Sequence, residues 1–165
     1  MRLRLATAED RDFLLQVYAS TRADELALTR WDSAACEAFV RQQFDAQDHH
    51  YRLHHPRSLL QVIVDTSGAV PRDVGRLWTD DSSGEAVHVL DISLLADARG
   101  QGLGTQCLQA LRDQAHAQGR ALTIHVEVHN PAQRLYRRLG FVACGAPQGL
   151  YLKMACSPVQ ALNTV

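Results

Sequence analysis

Lysine is nearly missing from this chain: 16 of its 17 basic residues are arginine, and Lys153 is the exception. Aromatic residues are few, 6% of 165, and no apolar run is long. Leu59–Val64, broken by Gln61, falls far short of the ~20 residues that span a bilayer, so no membrane partner is expected. The opening MRLRLATAED lacks the apolar core of a secretory signal, which makes the cytoplasm the expected compartment. Neither sign of charge dominates. With 17 Lys and Arg against 18 Asp and Glu, the net charge is -1, whereas a nucleic-acid partner would call for a basic excess. The four cysteines, Cys36, Cys107, Cys144 and Cys156, are widely spaced with no C-x-x-C, which argues against a disulfide framework or a zinc site. Cys107 and Cys144 read as packing residues of a helix and a strand, not as nucleophiles. His49, His50, His54 and His55, with Tyr51 among them, fall at a helix end and loop with no carboxylate or Cys at ligand spacing, so no metal is expected.

The periodicity that is present describes one mixed α/β domain. Arg2–Ala6 alternates as a strand; Thr7-Ala8-Glu9-Asp10 then caps a helix over 8–20, where Phe13, Leu14, Val17 and Tyr18 recur at helical spacing. A loop over 21–31 carries Arg22, Asp24, Glu25 and Trp31. Asp32-Ser33 starts a second helix, running to about 49, with Cys36, Phe39, Val40 and Phe44 on one stripe. Three strands follow as an antiparallel meander, 59–65, 74–80 and 86–95, divided by Gly- and Ser-rich turns. Then come a helix over 102–118, a strand over 121–128, a helix opened by Asn130-Pro131, and strands near 141–144 and 149–154. The order is β-α-α-β-β-β-α-β-α-β-β, with residues 1–155 as the domain and 156–165 as a tail.

The most informative stretch is Arg99-Gly100-Gln101-Gly102-Leu103-Gly104-Thr105, between a hydrophobic strand and an apolar-periodic helix. Glycines let backbone approach a ligand closely, and a helix start offers unpaired N–H groups at the positive end of its dipole, a setting that binds phosphate. Arg99 adds charge for a charge-assisted contact. No Gly-Lys-Ser/Thr follows, so the turn is not a nucleotide-triphosphate loop, and its glycine spacing is not that of a dinucleotide fold.

These residues resemble the R/Q-x-x-G-x-G/A signature of the GNAT superfamily of acyl-CoA-dependent N-acetyltransferases. A second block, Asn130-Pro131-Ala132 followed by Leu135-Tyr136 and Gly140-Phe141, resembles that family's downstream stretch. The resemblance implies a central, mostly antiparallel sheet that splays between its fourth and fifth strands to admit acetyl-CoA. It places pantetheine along Ile92, Ser93 and Leu94, and the pyrophosphate on Gly100, Gln101, Gly102, Leu103, Gly104 and Thr105 with Arg99. Asn130 would cap its helix and touch pantetheine.

Tyr136 matches the family tyrosine near the thioester sulfur; a phenol that titrates near ~10 is protonated at neutral pH and can supply the proton a leaving thiolate needs. The acceptor amine must be neutral to attack, so a base is required. His88 stands where some members place a carboxylate base, with Asp91 and Glu85 as rivals on the same strand. On the next strand His125, Glu127 and His129 form a polar stripe, from which Glu127 or His125 is available as base or water-orienting group. Tyr18, Arg22, Glu25 and Trp31 occupy the family's variable acceptor wall. The implied function is acetyl transfer to a small-molecule amine by direct attack in a ternary complex. A protein N-terminus or lysine is the second acceptor class, and a non-catalytic acyl-CoA sensor a third reading. The implied enzyme is a monomer or homodimer.

Charge is unevenly distributed. Residues 1–98 hold 10 Arg against 16 Asp and Glu, a net -6, whereas 99–138 hold six Arg against Asp113 and Glu127, a net +4. The basic segment is the one that meets the anionic co-substrate on this reading, and the acidic segment suits a cationic amine.

Overall fold

In the computed structural model, which describes residues 1–158, the chain runs β1 (Arg2–Leu5), α1 (Arg11–Ala27), α2 (Ser33–His54), β2 (Leu59–Asp65), β3 (Arg72–Asp80), β4 (Ala86–Leu94), α3 (Leu103–Ala117), β5 (Ala121–Glu127), α4 (Gln133–Arg138), β6 (Val142–Ala143) and β7 (Tyr151–Cys156). The order of helices and strands along the chain is the one expected from periodicity, and the seven strands form one open mixed sheet in the order β1-β2-β3-β4-β5-β7-β6. β1 and β2 pair antiparallel, as do β2 and β3; β4 and β5 pair parallel, as a crossover through α3 requires. The described backbone groups into two compact units, residues 1–79 with 91–104, and residues 80–90 with 105–158.

In the first unit, α1 and α2 bury Leu14, Tyr18, Val40 and Phe44 together. The carboxylate of Asp32 accepts the N–H of Ala35 at 2.8 Å and starts α2 where the sequence places it. Both helices run longer than expected. Residues 21–27 continue α1 instead of forming a loop, because no Gly or Pro interrupts Thr21–Ala27 and Arg22 pairs with Glu25 one turn on, at 3.1 Å. α2 likewise carries on to His54, so the histidine run lies in its last turns, with His55 as the C-cap, and not in a loop.

Before α1, the carboxylate of Asp10 accepts two hydrogen bonds from the Arg4 guanidinium, at 2.9 and 2.7 Å, and one from the Thr7 N–H at 2.7 Å. Arg4, and then the Thr7 amide, hold this carboxyl well below the usual carboxylate range. A depressed folded-state pKa contributes stability above the unfolded value near ~3.9, and that contribution is lost as pH falls through the folded value. Asp10→Asn is therefore expected to cost about 1–3 kcal/mol near neutrality. In urea unfolding, the gap from wild type should narrow at about pH 3, where the unfolded-state carboxyl is mostly protonated.

β3 approaches the end of β4 unusually closely at Gly75. The β2–β3 register shifts there, Ile63 facing Gly75 and Val64 facing Asp73, so Val74 is an inserted residue. A Cβ on Gly75 would stand 2.3 Å from the Ser93 carbonyl oxygen and 2.6 Å from Leu94 Cδ2. Gly75→Ala must move backbone, and is expected to cost about 1–3 kcal/mol in urea unfolding.

In the second unit, β5 pairs with β7 from Leu122↔Cys156 to Glu127↔Tyr151. β7 thus runs to Cys156, which is buried, one residue into the stretch expected as a tail; the rest of that expectation, from 159 on, lies outside the described residues. Asn130 does not cap α4 directly. Its side chain accepts the Ala132 N–H at 2.9 Å in a turn that precedes the helix, and Ala132 is the N-cap. Cys107 is fully buried and its thiol is pushed up to about 11 by burial, which suits packing. Cys144 departs from expectation: β6 ends at Ala143, and the thiol is exposed.

Candidate active site

The β4–β5 ladder runs from Ala86↔Ala121 to Val89↔Ile124 and no further, while β4 itself continues to Leu94. Burial records the change. Val87 and Val89 are buried in alternation, then every residue from Leu90 to Leu94 is half-buried, as in a strand whose hydrogen-bonding edge has opened. This is the splay that the resemblance implied.

The glycine turn follows at once. A single 3-10 turn, Ala96–Ala98, leads through extended Arg99 into Gly100 and Gly102, whose φ values of 73° and 82° are left-handed and disfavour any residue with a Cβ. Gly104 has ordinary backbone, and a Cβ there would make only an ordinary contact, 3.7 Å from Leu94 Cδ1. Leu103, Gly104 and Thr105 begin a 15-residue helix, so their N–H groups have no carbonyl one turn earlier within it.

The loop is braced from within its own unit. Gln101 donates to the Asp97 carbonyl at 2.6 Å, and Arg72 pairs with the Asp97 carboxylate at 2.6 Å, holding that carboxyl below its usual range. Arg99 points part of its guanidinium inward: Nε donates to the Leu94 carbonyl at 2.9 Å, and Nη2 to the Ser20 carbonyl at 2.9 Å. It therefore ties the turn to α1 and to the end of β4.

Asp91 is committed to a partner. Arg76, only 2% exposed, donates from Nε to Asp91 at 2.8 Å and from Nη2 to Gln47 at 2.6 Å, and its guanidinium lies 5.6 Å from the Tyr18 ring centre. The Ser93 hydroxyl donates to the same carboxylate at 3.1 Å. A carboxylate so paired anchors β4, its oxygens already engaged by Arg76 and Ser93. Of the four residues placed on an acceptor wall, Tyr18 is in the core at 3% exposure, its hydroxyl accepting from Arg22 Nε at 3.3 Å. Arg22 and Glu25 pair on α1. Trp31, about half exposed, meets Phe39 edge to face.

In the second unit, His88 and Thr123 are cross-strand partners, with His88 Nδ1 2.8 Å from Thr123 Oγ1. His125 stands on the same face of β5, its Nδ1 3.1 Å from His88 Nε2. Burial, then the charge of Lys153 across on β7, lowers the His125 pKa and favours its neutral form. Glu127, two residues on, is exposed. Tyr136 is buried on α4, its ring 5.8 Å from that of Phe141. That helix is fastened to the end of β5 by Gln133, whose amide donates to the carbonyls of Glu127 at 3.0 Å and Val128 at 2.8 Å. The sequence reading missed Gln133, Arg76 and Gly75; only Gly75, a glycine inside a strand pattern, carried a local signal. Among the described residues no group of three or more His, Cys, Asp or Glu is placed to hold a metal ion, and no helix is long and apolar enough to cross a membrane.

Comparison with known proteins agrees with this geometry. The family model for acetyltransferase (GNAT) matches residues 23–141. No curated protein matches the chain. Among solved structures, it is similar to the PaiA N-acetyltransferase of Thermoplasma acidophilum in complex with coenzyme A, at 14% identity and TM-score 0.68, covering 94% of this chain and 98% of that one. It is also similar to a histone acetyltransferase HPA2 and related acetyltransferase from Corynebacterium glutamicum, at 23% identity, TM-score 0.66 and coverages of 99% and 98%. A third is a variant of the spermidine N-acetyltransferase SpeG of Vibrio cholerae, at 18% identity, TM-score 0.63 and coverages of 99% and 98%. With most of its length matched by the family model and an open sheet parted after Val89, the chain belongs to the GNAT acetyltransferase family and is an acyl-CoA-dependent acetyltransferase.

Proposed function

We propose that the enzyme moves an acetyl group from acetyl-CoA to the primary amine of a small cationic molecule, by direct attack in a ternary complex. The observation that carries this reading is the opened end of β4 leading into a turn with two left-handed glycines at the start of α3. The turn from Arg99 to Thr105 presents backbone N–H groups to the pyrophosphate. Pantetheine pairs along Ile92, Ser93 and Leu94 of the opened β4 as an added strand. Asn130, which shapes the turn before α4, borders the pantetheine.

The amine attacks the thioester carbonyl, β4 N–H groups stabilise the oxyanion, the C–S bond breaks, and Tyr136 protonates the departing sulfur. For the base, the Asp91–Arg76 pair leaves His88 as the member of β4, with Glu127 or His125, both exposed on β5, as the alternatives. Arg22, Glu25 and Trp31 remain the acceptor-facing candidates of the first unit, whereas the burial of Tyr18 makes it their support. The net -6 of residues 1–98 suits a cationic acceptor, and SpeG, a neighbour in fold, is a spermidine N-acetyltransferase. On this reading one acetyltransferase domain, monomeric or homodimeric, works in the cytoplasm without a metal.

The test is thiol release from acetyl-CoA by purified protein, across a panel of polyamines, amino compounds and lysine peptides. Amine-dependent release with small cations is the expected result. Release with peptides alone would move the acceptor to proteins, and tight acetyl-CoA binding without any release would make the domain a sensor.

A further inference from the structure

The hydrogen-bonded string Thr123–His88–His125 has a direction that its members do not show singly. We infer that His125 is the residue that takes the proton from the acceptor amine, and that it hands a proton inward to His88, so that the two imidazoles act as a relay for the proposed acetyl transfer. The direction follows from counting protons. Thr123 Oγ1 has one hydrogen, and its backbone acceptor is the Val87 carbonyl at 3.5 Å. With the hydroxyl turned there, Oγ1 accepts from His88 Nδ1–H at 2.8 Å. His88 Nε2 then carries a lone pair and accepts from His125 Nδ1–H at 3.1 Å. His125 Nε2 is left with the second lone pair of the string, on the half of the pair that is exposed.

The balance of the step is simple. As the amine nitrogen bonds to the thioester carbon, its extra proton passes to His125 Nε2. The Nδ1 proton of His125 moves to His88 Nε2, which makes His88 the imidazolium, with its Nδ1–H still held by Thr123. The sulfur leaves with the proton of Tyr136; solvent then takes the relay proton from the imidazole pair and returns one to the Tyr136 phenolate, so that no net proton is gained or lost. The inward transfer has a physical cause. Burial, and then Lys153 facing it from β7, disfavour positive charge on His125, and transfer to His88 carries that charge one ring further from Lys153. Glu127, two residues along β5 on the same face, is the nearest acid on that strand.

This inference rests on the acetyl-transfer reading, and two measurements separate their failures. In ¹⁵N spectra of the labelled full chain above the histidine titrations, both His88 and His125 are expected as Nδ1–H tautomers, and to titrate as a coupled pair in two steps. An Nε2–H tautomer at His125, or two independent titrations near ~6.5, would overturn the relay whether or not an acceptor is in hand. In turnover with an amine active in the panel, His125→Gln is expected to lower kcat/KM by about 10-fold near neutral pH and His88→Gln by less. Thr123→Val, which leaves both rings in place but removes the acceptor of His88 Nδ1–H, is expected to lower kcat/KM and to shift the lower limb of the pH–rate profile, and a Thr123→Ser variant to restore both. A His125→Gln enzyme with the wild-type profile would refute the relay and leave acetyl transfer standing; absence of thiol release by wild type with every amine would sink the transfer reading, while the tautomers still decide the pair.

Discussion

Tyr136→Phe is expected to lower kcat by about 10³-fold while leaving acetyl-CoA affinity within a few-fold of wild type. The substitution separates two roles that one side chain can play. Tyr136 is buried with its ring tilted against Phe141, and phenylalanine keeps that packing. What disappears is the phenolic proton, and without it sulfur must leave as a bare thiolate. A loss confined to kcat identifies the hydroxyl as the acid; an active Phe variant would reduce Tyr136 to a packing residue. A more reactive thioester, whose thiol is a stronger acid, should recover part of the lost rate, because it needs protonation less.

Gly102→Glu is expected to weaken acetyl-CoA binding by about 100-fold, or ~2.7 kcal/mol. Two effects act together. At φ 82° any Cβ carries backbone strain of about 1–2 kcal/mol, although nothing lies within 4 Å to clash with it. The carboxylate then adds a negative charge where the pyrophosphate is proposed to sit. Gly102→Ala supplies the strain alone and should bind far better than the Glu variant in titration calorimetry. Equal binding by wild type and Gly102→Glu would show that the phosphates lie elsewhere.

What could be read from the order of residues, and what could not, follows the range of the forces involved. The Arg99–Thr105 turn was legible because its conformation is set locally, by glycines where a left-handed backbone is needed. Strand β2 was expected over the residues it occupies, since a short apolar run bounded by turn residues has few alternatives. The end of α1 was misplaced because nothing in Thr21–Ala27 breaks a helix and nothing there is strongly periodic; packing of Leu26 against the α1–α2 core favours the longer helix. The partners of Asp91 and His88 were beyond reach for another reason. Arg76 meets Asp91 across 15 residues of chain, and His88 meets Thr123 across 35, so both pairs depend on strand register, which single positions do not encode.

The lengths of the outer strands have a consequence for handling the protein. The sheet begins with four-residue β1 and ends with two-residue β6, whereas the strands between them have six to nine residues. An unpaired edge is a template on which a neighbouring chain can add a strand, and the template is as long as the edge. Here both edges are the shortest strands in the sheet. Concentrated protein should accordingly resist fibrous edge-to-edge association, and any self-association should proceed through helix faces or loops.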